Sequence, residues 1–201
     1  MGHFFNSETS AIIGAMYSLA KWFLQLRGWR IEGEFPPDPK FVAIGAPHTS
    51  NLDFIVFLGV LGHFNRRARY IGKHSLFVGP LGWIMRKLGG IPVNRKGAGG
   101  LVDQVVEAFA AADEMILVIA PEGTRSRSEA WKSGFHNIAL AAGVPIVPAS
   151  VNGRDRIATV GRPVVPSEDV VGDMDRFRDF FGGVVGIRAG RETPIVLAEE
   201  L

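Results

Sequence analysis

Cysteine is absent from the 201 residues. That removes disulfides, thiolate nucleophiles and zinc–thiolate sites together, and it fits a reducing compartment. Acidic residues are missing between Asp53 and Asp103, whereas Arg66, Arg67, Arg69, Lys73, Arg86, Lys87, Arg95 and Lys96 all fall there, an imbalance hidden by a formal net charge of only +2. Such a stretch is expected to face nucleic acid, a phosphorylated small molecule or an anionic membrane; a merely solvated face is the plainer alternative. No apolar run reaches the roughly 20 residues that span a bilayer. The five histidines show no metal-ligand spacing, so no metal site is expected. A Walker A loop fails because Arg67 stands where glycine is needed ahead of Gly72 and Lys73. No G-x-G-x-x-G follows the first strand-like run, and no G-x-S-x-G elbow offers a nucleophilic serine.

What is present suits one domain, because this length with 47% hydrophobic content buries one core well and leaves little for a second. Residues 11–26 are mostly apolar, with Ile12, Met16, Leu19, Phe23 and Leu26 on one helical face and Gly14, Ser18, Lys21 and Gln25 on another. This stripe suits a helix in a membrane interface and equally a helix docked on its own domain. The absence of a basic segment before it argues against a cleaved signal peptide, and Asn6 argues against myristoylation. Residues 1–35 are read as an amphipathic membrane-surface segment and 36–201 as the catalytic domain, divided at Pro36-Pro37-Asp38-Pro39.

Beyond that linker, strand-like runs at 41–46, 70–72, 91–93, 115–120 and 145–151 alternate with helical runs at 52–64, 81–88, 101–112 and 135–142. The alternation predicts an α/β fold with a largely parallel central sheet flanked by helices. Gly143 and Ser167 read as a helix stop and a helix start, whereas residues 182–201 offer no readable pattern.

In such sheets ligands sit beyond the carboxyl ends of the strands. His48 follows the first run, Lys73 the second, Asn94 and Arg95 the third, and Glu122-Gly123-Thr124-Arg125 the fourth. A candidate base and three cationic groups therefore share one rim. On a continuous helix His48 and Asp53 would lie about 140° apart. With His48 in a turn and Asp53 in the first helical turn, the carboxylate can reach one imidazole nitrogen and leave the other free as a base. A rival reading makes Ser50-x-x-Asp53 a capping box and Asp53 a helix-start residue only. In 121–126, glycine permits close backbone approach, and an arginine guanidinium forks onto phosphate.

These residues resemble the glycerolipid acyltransferases, with lysophosphatidate acyltransferase as the familiar type. Four motifs stand in family order across roughly 41–151. The first is Pro47-His48-Thr49-Ser50-Asn51-Leu52-Asp53, an H-x-x-x-x-D. The second runs from Lys73-His74-Ser75-Leu76 through Gly89-Gly90-Ile91-Pro92-Val93-Asn94-Arg95, with Ser75 where the family often has an acid. The third is Pro121-Glu122-Gly123-Thr124-Arg125-Ser126, and the fourth Val144-Pro145-Ile146-Val147-Pro148.

The resemblance implies that His48 takes a proton from an acceptor hydroxyl that attacks the thioester of acyl-CoA or acyl-carrier protein, with Asp53 orienting the imidazole. It implies that Glu122, Gly123, Thr124 and Arg125, with Arg95 and Lys73, bind the phosphate of a lyso-lipid acceptor. The expected partners are that acceptor, the acyl donor and a membrane surface, with no nucleic acid and no bound cofactor. The expected location is the cytoplasmic face of the membrane, peripheral or monotopic. A binding module for nucleic acid or acidic lipid, with His48 and Asp53 purely structural, is the rival class. A phosphate-ester hydrolase is a third.

Overall fold

Residues 40–46 bury side chains on both sides, and the strand they form is the middle of the sheet. The structure, a computed structural model, describes residues 7–93 and 100–201. In chain order the elements are α1 (Ser7–Leu26), β1 (Arg30–Gly33), β2 (Lys40–Ala46), α2 (Leu52–His63), β3 (Arg69–Lys73), α3 (Gly79–Lys87), β4 (Gly90–Val93), α4 (Leu101–Ala111), β5 (Met115–Ile119), α5 (Gly134–Ala142), β6 (Ile146–Asn152), β7 (Ile157–Val160) and α6 (Val170–Phe181). Short 3-10 turns lie at His74–Phe77 and Ala198–Glu200. The seven strands are ordered β1-β7-β6-β2-β5-β3-β4. β6, β2, β5, β3 and β4 run parallel, β7 is antiparallel to β6, and β1 is parallel to β7.

The period-two alternation of β2 divides the core. Val42, Ile44 and Ala46 point to a cluster with Val105 and Phe109 of α4, Phe135 and Ile138 of α5, and Met174, Phe177 and Phe181 of α6. Phe41 and Ala43 point to the opposite cluster with Ile13 and Tyr17 of α1, Leu58 and Leu61 of α2, and Phe77. The α/β architecture with its central, largely parallel sheet is therefore as expected, and each of the five strand-like runs is a strand. β1 and β7 are additional. A buried hydrogen bond between His136 Nε2 and Asp173 Oδ2, at 3.0 Å, ties α5 to α6. Burial alone would raise the Asp173 carboxyl, but hydrogen bonds from His136 and Ser167 outweigh it and hold the group below its ordinary range.

The amino-terminal helix docks on α2 through a face offset from the stripe read from the sequence, of which Met16 and Phe23 still pack against the core. Ile13, Tyr17, Ala20 and Leu24 are buried, whereas Leu19 and Leu26 are about two-thirds exposed, at 64% and 66%. The side chain of Ile12 lies outside the described residues. Small residues on α2 permit the docking: a Cβ on Gly62 would stand 2.6 Å from the Tyr17 carbonyl oxygen, and one on Gly59 would stand 2.3 Å from Leu24. With β1 hydrogen-bonded along β7, the described part of 1–35 shares the core of 36–201, so packing is continuous across the expected boundary. Among the described residues, no helix is long and apolar enough to cross a membrane.

Candidate active site

The central strand β2 ends at Ala46, and a cis Ala46–Pro47 bond leads into the turn that carries His48. Asp53 lies in the first turn of α2. Its Oδ2 accepts hydrogen bonds from the backbone N–H of Thr49 and of Ser50, both at 2.7 Å, and stands 3.1 Å from His48 Nδ1. The catalytic and helix-start readings of Asp53 thus describe one atom. Asn51, at the N-cap, makes no side-chain cap, and the Ser50 hydroxyl accepts from Leu52 N at 3.2 Å. A carboxylate beside Nδ1 favours the tautomer that carries its proton on that nitrogen, which leaves the Nε2 lone pair free. The His48 side chain is 30% exposed, so Nε2 chemistry is open to a substrate, whereas Asp53 is buried.

The next strand, β5, brings the second half of the site. Glu122 is buried, and its Oε1 accepts the His48 backbone N–H at 2.8 Å across 74 residues of chain. Glu122 was expected on the acceptor's phosphate. The structure corrects that: its carboxylate is turned into the protein and holds the turn that carries His48. Burial pushes the Glu122 carboxyl above its ordinary range and nearby Asp53 adds to the rise, against lowering by the His48 N–H.

Gly123, Thr124 and Arg125 follow as an exposed turn. Gly123 has φ +65°, which favours glycine, and its N–H closes the turn onto the Ala120 carbonyl at 3.0 Å. Lys132, for which the sequence offered no signal, lies along this turn, with Nζ 3.0 Å from where a Gly123 Cβ would be. Lys132 N donates to the Pro121 carbonyl at 2.9 Å, which fixes the approach. A lysine in an irregular loop joins a motif only through folding.

β3 also ends at this rim, two places from β2, so Lys73 has its backbone where expected. The side chain of Lys73 and the whole of Arg95 lie outside the described residues. On the other flank of β2, the unreadable carboxy-terminal stretch reaches the site: Arg188 N donates to Thr49 Oγ1 at 3.1 Å.

The Glu122 environment has a consequence for stability. A folded-state pKa raised above the unfolded value gives a contribution that is complete below the unfolded value and lost as pH rises through the folded one. Gln at this position keeps the oxygen that accepts His48 N–H and carries no charge. The melting temperature of Glu122→Gln relative to the wild type is expected to climb from about pH 4.5 upward and to level off above the folded pKa. Parallel melting curves across that range would contradict the assignment.

The 1-acyl-sn-glycerol-3-phosphate acyltransferase of Escherichia coli (strain K12) is 32% identical over 158 residues, covering 73% of this chain and 61% of that protein. The Haemophilus influenzae protein of the same name is 30% identical over 144 residues, covering 65% and 58%. The chloroplastic 1-acyl-sn-glycerol-3-phosphate acyltransferase BAT2 of Brassica napus is 32% identical over 119 residues, covering 57% and 33%. The chain thus spans between a third and about three-fifths of the length of these relatives. The crystal structure of the 1-acyl-sn-glycerophosphate acyltransferase PlsC from Thermotoga maritima superposes with a TM-score of 0.62 at 20% identity, covering 86% of this chain and 77% of that one, a likeness of fold. The family model described as Acyltransferase matches residues 30–152, more than half of the chain and the whole of the His48–Asp53 and Glu122–Arg125 segments, and by that match this chain belongs to the acyltransferase family.

Proposed function

We propose that this acyltransferase moves a fatty acyl group from an acyl thioester, on coenzyme A or acyl-carrier protein, to a hydroxyl of a phosphate-bearing lyso-lipid such as a 1-acyl-glycerol-3-phosphate. The carrying observation is the His48 imidazole, with Nδ1 3.1 Å from Asp53 Oδ2, in the turn that follows β2 and beside the strand that leads into the exposed Gly123–Arg125 turn. Nε2 takes the acceptor's hydroxyl proton as that oxygen bonds to the thioester carbonyl carbon. The tetrahedral intermediate then collapses with breakage of the C–S bond, and the imidazolium returns its proton to the departing thiolate. Asp53 stabilises the imidazolium between the two transfers. Direct transfer needs no protein nucleophile, in keeping with a chain that lacks cysteine. The amides of the 123–125 turn, the Thr124 hydroxyl, the Arg125 guanidinium and the Lys132 ammonium supply phosphate contacts, to which the family resemblance adds Lys73 and Arg95.

A membrane surface is the proposed source of the acceptor, met from the cytoplasmic side by a peripherally bound protein. Leu19, Trp22 and Leu26 of α1 expose large apolar side chains, as do Leu76, Val78, Leu81 and Trp83 around the start of α3. The latter group follows the carboxyl end of β3, on the rim that carries His48. Lys87 stacks over Trp83 with Nζ 5.7 Å from the ring centroid, which brings a cation beside the apolar patch. Partial insertion of apolar side chains together with cations at an anionic surface is how interfacial attachment is built.

His48→Ala is expected to lower turnover by about 10²–10⁴-fold with the melting temperature kept, since general-base loss typically costs that much. Wild-type turnover by this variant would remove His48 from the chemistry. Arg125→Lys is expected to depress kcat/KM for a phosphate-bearing acceptor by about tenfold, a planar fork being replaced by a point charge, and far less for an acceptor without phosphate. Equal losses for both acceptors would place Arg125 on the donor instead. The double substitution Leu81→Gln and Trp83→Gln is expected to weaken binding to phosphatidylglycerol vesicles by about tenfold or more, since each such side chain gains up to about 1.5–3 kcal/mol on full burial. Unchanged co-sedimentation with those vesicles would exclude this face from the contact.

A further inference from the structure

Residues 184–192 lie beyond the stretch that the family model matches and carry no motif, yet they are built into the catalytic turn. Thr49, next to His48, is 1% exposed, and its Oγ1 accepts the Arg188 N–H at 3.1 Å. Gly186 packs so closely that a Cβ there would stand 2.6 Å from both Cγ2 and Oγ1 of Thr49. The Gly186 N–H donates to Glu192 Oε1 at 2.9 Å, which closes the loop upon itself. At its base Gly153 N, just past β6, donates to the Val185 carbonyl at 2.8 Å, and a Cβ on Gly153 would stand 2.4 Å from Ile187 Cα. The loop is therefore anchored to the strand beside β2.

Thr49 is held from two sides. Its hydroxyl oxygen is on the loop, and its backbone N–H is on Asp53 Oδ2 at 2.7 Å, the atom that also holds His48 Nδ1. An unbroken path thus runs from Glu192 through Gly186 and Arg188 to Thr49, and from Thr49 to Asp53 and His48. We propose that Thr49 is a positioning residue for the His48–Asp53 pair and that the loop 184–192 is its brace, an inference that rests on the reading of His48 as the base. The turn at 47–50 has no regular secondary structure to hold it. Its geometry depends on the few bonds that end on it, and a displacement of about 1 Å at a reacting group can cost about 10²-fold in rate.

Thr49→Val keeps the shape of the side chain and removes the acceptor, whereas Thr49→Ser keeps the acceptor and removes the methyl group packed on Gly186. Thr49→Val is expected to lower kcat by about tenfold or more, with KM for donor and acceptor within about twofold of the wild type. Thr49→Ser is expected to stay within about threefold of wild-type kcat. A Thr49→Ser loss as large as that of Thr49→Val would mean packing alone matters and would overturn the proposal, as would wild-type kcat in Thr49→Val. Should Thr49→Val not fold, Glu192→Ala loosens the brace from its far end and is expected to lower kcat several-fold at constant KM; unchanged kcat there overturns the brace. The His48 Nδ1–H resonance in the proton spectrum reads the same geometry without turnover. It is expected to be sharp and downfield in the wild type and lost or shifted in Thr49→Val. An identical resonance in both refutes the brace even if the protein proves to catalyse some other reaction, and absence of acyl transfer with the resonance altered as expected would refute only the functional reading.

Discussion

One oxygen atom, Asp53 Oδ2, ties the turn that carries His48 to the start of α2: it accepts the backbone N–H groups of Thr49 and Ser50 and stands 3.1 Å from the imidazole of His48. The other oxygen, Oδ1, is buried without a partner among the described residues. Concentrating these contacts on one atom couples the position of the imidazole to the helix terminus. Glu122 repeats the device from the neighbouring strand by accepting His48 N–H. The histidine is fixed at its ring by one buried carboxylate and at its backbone by another. The cost is two acidic groups near each other in a poorly solvated place, felt in the raised Glu122 pKa.

Much of this was legible because of where the residues sit in the sheet. The runs at 41–46, 115–120 and 145–151 become interior strands with both faces covered, and such strands are written as continuous apolar sequence. β1 and β7 were not legible. They are four residues long, and the exposed side of β1 carries Arg30 and Glu32, so neither shows a run or a clean alternation. The α1 stripe only partly marks the docked face because that helix is apolar on more than one side. Ala20 and Tyr17, which a hydrophobicity count undervalues, face Gly59 and Gly62, where the close approach of two backbones selects small or flat contacts.

Within the site, motif order located His48, Asp53 and the 123–125 turn, but it carried no information on which way a side chain points. Glu122 and Arg125 belong to one hexapeptide, yet one is buried behind the catalytic turn and the other is exposed at the rim. Lys132 and the loop at 184–192 approach from distant parts of the chain through irregular structure, where no periodicity exists to be read. The α3 region shows how little can suffice to hold an element at such a rim. Phe77 is its buried anchor, with its ring crowded by Gly72 and Gly90 and its backbone by Gly82, and the Phe77 carbonyl accepts from Arg86 at 2.8 Å. The neighbouring apolar side chains are left facing outward.

The two ends of the sheet are closed in different ways. β4 offers four residues of which one is Pro92, with no N–H to give, and it stands in register with Gly72 of β3. β1 offers four residues with Arg30 and Glu32 on its open side, 3.9 Å apart. A sheet with apolar parallel strands at its centre is a template on which another chain can extend, and short, charged or proline-bearing borders are what deny that extension. The interior strands can therefore be as hydrophobic as the catalytic scaffold requires, because the borders keep that hydrophobicity from becoming a route to fibrous self-association.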